Sequence, residues 1–120
     1  MKPVAMATFS LMTLASALFA DAPEIVSATA TERGAGWSFS VTIRHGDTGW
    51  DHYADGWRIL DASGHELGQR TLFHPHENEQ PFTRSLDGVR IPPDTRHVFI
   101  QAKDNKEGWA DPLFKVALPQ

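Results

Sequence analysis

Between residues 37 and 44 apolar and polar side chains alternate without a break: Trp37, Phe39, Val41 and Ile43 against Ser38, Ser40, Thr42 and Arg44. Successive side chains of an extended chain point to opposite faces, so the pattern predicts a strand with one buried and one wet face. A second such strand is predicted over 96–103, with Val98, Ile100 and Ala102 on one face. A weaker strand over 24–31 runs into Arg33-Gly34-Ala35-Gly36. Residues 56–60 and 66–73, joined by Asp61-Ala62-Ser63-Gly64, read as a hairpin. Short strands are expected over 82–86 and 113–118. Residues 45–49, 87–94 and 104–108 are the connections between them. No helical stripe occurs beyond residue 21. The expectation is an all-β chain: an antiparallel sandwich of about seven strands.

The first twenty residues follow another rule. Lys2 is their only charged side chain, and residues 4–20 are rich in Ala, Leu, Met, Phe and Thr. A short basic start and an apolar stretch predict a signal peptide over 1–20, followed by a single sandwich domain over 21–120. Cleavage is placed after Ala20, although Ala17 fits the small-x-small rule better. The implied location is periplasmic or secreted. The chain has no cysteine, which excludes disulfides and thiol chemistry. Its formal net charge is −4, without a basic run. This argues against nucleic acid or an anionic membrane surface as partner.

Two resemblances add to this reading. Leu86, the turn Pro93-Asp94-Thr95, the alternating strand 98–102 and the bend Asn105 to Gly108 follow one another in order. That stretch resembles the later half of a fibronectin type III or related immunoglobulin-like domain. His97 stands where that family has a tyrosine. The resemblance implies architecture and no activity. The runs Gly-Trp-Asp-His-Tyr-Ala-Asp-Gly-Trp (49–57), Leu-Phe-His-Pro-His (72–76) and Glu-Gln-Pro-Phe-Thr-Arg-Ser-Leu (79–86) resemble a group of small exported bacterial proteins. That group lends an exported location and no catalytic residue.

Candidate chemistry rests on six histidines in a thiol-free chain. His74 and His76 flank Pro75, and on an extended chain both rings project the same way. His52 precedes the strand expected to pair with the one ending near His74. His45 continues the buried parity of Phe39, Val41 and Ile43. The expected metal ligands are therefore His52, His74 and His76, with His45 as a fourth, and the ion is copper or zinc. Asp47, Asp51 and Glu77 are carboxylates within reach of these rings. The expected role is sequestration or delivery, with a metal ion or a periplasmic protein as partner. Histidines paired with carboxylates on a surface make the same pattern without metal. Convergence of the imidazole nitrogens separates the two.

The alternative is a recognition module for glycan or protein built on Trp50, Tyr53 and Asp51, with Trp57 in the core. No serine elbow, phosphate loop or calcium loop occurs, so no catalytic or cofactor-binding residue is expected. Arg84 is expected to pair with a nearby carboxylate and fix the loop after His76.

Overall fold

The computed structural model describes residues 21–119; the expected signal peptide over 1–20 lies outside them. Eight strands and no helix are present among the described residues. They are β1 (Glu24–Arg33), β2 (Gly36–Arg44), β3 (Ala54–Leu60), β4 (Glu66–Thr71), β5 (Phe82–Val89), β6 (His97–Asp104), β7 (Gly108–Trp109) and β8 (Phe114–Ala117). One sheet has the order β1-β2-β5. The other runs β4-β3-β6, and both β7 and β8 pair with β6. All pairings are antiparallel. The two sheets pack as a sandwich, as the alternation predicts.

The core lies between the inward faces. Phe39, Val41 and Ile43 of β2 and Phe82 of β5 meet Trp57 and Ile59 of β3 and Val98, Ile100 and Ala102 of β6. These side chains are almost wholly removed from water. At about 1.5–3 kcal/mol for each large apolar side chain, their burial dominates the stability of a cysteine-free domain. Trp57 is core, whereas Trp37 is only partly buried beside it. Strand β7, which follows the turn over 105–107, was not legible as a strand because two residues carry no period.

The inward parity continues past the strand ends at one pole. Behind Ile43 the next inward position is His45, and behind Ala102 it is Asp104; both are buried. The segments at this pole are residues 21–23, 45–53, 72–81 and 105–107. They are cross-linked: Asn105 N–H donates to the Tyr53 carbonyl at 3.1 Å, and His76 N–H donates to Asp47 Oδ2 at 2.7 Å.

Candidate functional site

Asp47 organises this pole. Its side chain is fully buried. Oδ1 faces His45 Nδ1 at 2.6 Å and accepts the Ala54 N–H at 3.0 Å, while Oδ2 takes the His76 N–H. One carboxylate thus joins the loop after β2, the start of β3 and the loop before β5. Gln80 clasps the same loops, accepting the His45 N–H at 2.9 Å and donating to the His76 carbonyl at 2.9 Å.

His45 receives its orientation from Asp47. An ionised carboxylate only accepts, so Nδ1 carries a proton and Nε2 points onward. Nε2 lies 2.7 Å from the main-chain carbonyl oxygen of Asp21 and 3.7 Å from Asp104 Oδ2. His52 arrives by a tight turn. Thr48 N–H donates to the His52 carbonyl at 3.0 Å, and His52 N–H returns to the Gly49 carbonyl at 3.2 Å. Gly49 has φ 130°, a conformation that favours glycine. The His52 ring meets the His45 ring edge to face, with centroids 4.8 Å apart.

Asp104 closes the group. It ends β6 opposite Ala54 in the register. Oδ1 accepts the N–H groups of Lys106 and Glu107 and fixes the turn into β7. Oδ2 has no hydrogen-bond partner, nor has His52 Nε2, and both atoms are buried. They face each other at 3.6 Å, beyond hydrogen-bond reach. One ligand atom from each of His45, His52 and Asp104 lies within 4.8 Å of the others. Bonds of about 2.0–2.2 Å to a tetrahedral ion put neighbouring ligands about 3.3–3.6 Å apart. The separations to Asp104 Oδ2 are close to that spacing, so these three side chains could hold a metal ion.

His74 and His76 are placed differently. Their rings pair with each other, centroids 4.6 Å apart, and His76 stacks on Phe82 at 3.9 Å with 8° between the planes. Arg84 donates to His76 Nε2 at 2.8 Å. Arg84 also lies 3.5 Å from Glu79, the carboxylate partner expected for it. Burial holds His76 below the usual histidine range, the Arg84 guanidinium and His74 add to this, and Glu79 and Asp47 oppose it. The structure thus brings His45 and His52 to one carboxylate and turns the His76 ring toward an arginine. The Asp47 and Gln80 side chains join the loops that carry the two histidine pairs.

Of the aromatic residues, Trp50 is 66% exposed and meets Tyr53 edge to face at 5.6 Å. Asn105 pins this loop, accepting the Tyr53 N–H and donating to the Trp50 carbonyl, each at 2.9 Å. Asp51 is exposed. Phe73 on the neighbouring loop is 73% exposed.

Asp104 is the residue that sequence reasoning missed. The signal was available: Val98, Ile100, Ala102 and Asp104 share parity, so a carboxylate follows three buried apolar side chains on the inner face. It was assigned to the closing turn instead, because Asp-Asn-Lys-Glu-Gly is also a turn sequence.

No family model matches the chain, and no solved structure matches it. Over 71 residues it is 41% identical to a protein of Halomicrobium mukohataei that bears the name "Putative lipoprotein". The match covers 59% of this chain and 34% of that relative, so the chain corresponds to about a third of the relative's length.

Proposed function

We propose that this is an exported β-sandwich that binds a divalent metal ion, zinc or copper, at the pole formed by His45, His52 and Asp104. The observation that carries the reading is the pair of buried, unpartnered atoms His52 Nε2 and Asp104 Oδ2, with His45 Nε2 beside them. A buried carboxylate oxygen facing no donor costs several kcal/mol unless a cation meets it. Two imidazoles and one carboxylate suit a borderline ion such as Zn(II) or Cu(II). The Asp47–His45 contact is the outer partner that metal-bound histidines usually have. The match to a protein named as a lipoprotein supports export, although these 120 residues contain no cysteine that could carry a lipid.

The role would be sequestration or delivery, with release as falling pH protonates the imidazoles. Calorimetric titration of the metal-stripped chain with Zn(II) and Cu(II) tests this. One ion should bind per chain, and Asp104→Asn should weaken binding at least ten-fold while keeping the oxygen that fixes the turn. Equal affinity in wild type and Asp104→Asn would sink the reading.

A second reading has its own observation. The exposed Trp50 with Tyr53 at its edge, beside Asp51, suits stacking on a sugar ring or a protein partner. Trp50→Ala would abolish such binding and leave metal affinity unchanged.

A further inference from the structure

Trp50 stands in water on a loop that is not free to fold it inward. Asn105 grips that loop with three hydrogen bonds. Its side chain accepts the Tyr53 N–H and donates to the Trp50 carbonyl, and its own N–H donates to the Tyr53 carbonyl. The bridge between Gly49 and His52 closes the turn, and Tyr53 meets the indole edge to face. Most of the ring stays in solvent all the same. An aromatic ring held outward by a pinned loop is surface that folding itself does not use. Resting on the recognition reading of this loop, and independently of any metal ion, we infer that the pole around Trp50 binds an arginine-bearing segment of a partner protein. The guanidinium stacks on the indole and pairs with the carboxylates beside it.

Three observations carry it. First, the aromatic surface extends over two loops. Leu72 N–H donates to the Asp55 carbonyl at 3.0 Å, and Glu77 Oε2 lies 3.5 Å from where a Cβ on Gly49 would sit. Both ends of residues 72–77 therefore run against the segment that carries Trp50, and the exposed Phe73 lies between those two contacts. Second, the charge around it has one sign. Asp55 and Glu79 are already paired, with Lys103 and Arg84. Asp51, Glu77 and Glu107 are exposed and form no ion pair, and Lys106 is the one lysine or arginine on these loops. Unpaired carboxylates beside an open indole favour a cation over a neutral sugar. Third, the fold makes the same contact within itself. Arg58 Cζ lies 3.9 Å from the centre of the Trp109 ring, and Arg84 Cζ lies 5.6 Å from that of Phe82. A planar guanidinium offers a flat face to the ring and N–H donors to the carboxylates, which an ammonium does less well.

The test is calorimetry on the full chain, with a chelator present so that the metal site plays no part. The probe is a pentapeptide of alternating glycine and arginine, blocked at both ends. It should bind, and Trp50→Ala should weaken it about ten-fold or more. Asp51→Asn combined with Glu77→Gln should also weaken it, as should raising the salt from about 0.05 to about 0.5 M. The same peptide with citrulline in place of arginine, flat but uncharged, should bind more weakly by about three-fold or more. Equal binding of the citrulline peptide would overturn the inference and leave an uncharged partner for the loop. Binding of cellotriose that depends on Trp50, without binding of the arginine peptide, would overturn it and leave the sugar arm of the recognition reading standing. Peptide binding that survives Trp50→Ala would overturn it by reducing the contact to general charge attraction. Binding of neither probe would overturn this inference and the recognition reading together.

Discussion

The two histidine pairs sit on neighbouring loops and have opposite surroundings. His45 and His52 lie on the loop over 45–53 and are brought ring to ring over the unpartnered oxygen of Asp104. His74 and His76, two residues apart, lie against Phe82 with an arginine on the inner ring. The first pair faces two buried carboxylates, Asp47 and Asp104. At the second a cation is already present, donating to His76 Nε2, while His76 Nδ1 is buried without a hydrogen-bond partner. Spacing in sequence thus says less about a ring's surroundings than about its nearest neighbours along the chain.

The largest expected effect comes from the residue that serves both pairs. Asp47→Ala removes the acceptor of the Ala54 and His76 N–H groups and the partner of His45, and should cost about 3–5 kcal/mol. Urea denaturation of the metal-free chain measures it, and Asp47→Asn, which keeps an acceptor oxygen, should cost less. A loss under about 1 kcal/mol would mean the loops are held elsewhere.

Metal affinity sharpens the contrast next. His52→Ala should weaken zinc binding by about 10–100-fold or more, and His74→Ala should leave it nearly unchanged. The reverse ranking, read by calorimetry, would move the centre to the second pair.

The third effect is one of pH. His76 has a lowered pKa in the folded chain because it is buried beside Arg84 and His74. The unfolded chain takes up this proton near pH 6.5, and the folded chain only at lower pH. The unfolded state therefore binds more protons in that window. The stability due to this group is fully present above about pH 6.5. It declines as pH falls toward the folded pKa, and is level below that. Metal-free denaturation midpoints should fall less steeply with acidification in His76→Gln than in wild type. Parallel slopes would contradict the assigned surroundings of the ring.

The smallest effect belongs to the exposed aromatics. Trp50→Ala and Phe73→Ala should each change stability by no more than about 0.5 kcal/mol, by the same denaturation, because neither side chain is buried.

The site was half legible. His45 follows from the parity of β2, and the same argument applied to β6 leads to Asp104. His52 does not follow from any period, since it depends on the turn over 49–52 and the glycine that permits it. The expectation for His74 and His76 used a strand rule, that side chains two apart share a face. Strand β4 ends at Thr71, so these residues lie on a loop. Their rings still pair, but the backbone there is set by Asp47 and Gln80 rather than by a sheet.

Alternation, with the turn residues between the runs, determined that this chain is all-β, which faces of β2 and β6 are buried, and roughly where most strands lie. Local sterics and the cost of wetting apolar side chains act between near neighbours, and a linear pattern records them. Only the tertiary structure decided which nitrogens face a buried carboxylate and which face an arginine. That choice depends on contacts such as His45 with Asp21 and His52 with Asp104, far apart in sequence. Charges buried together answer to distance in space, and the order of residues along the chain does not record that distance.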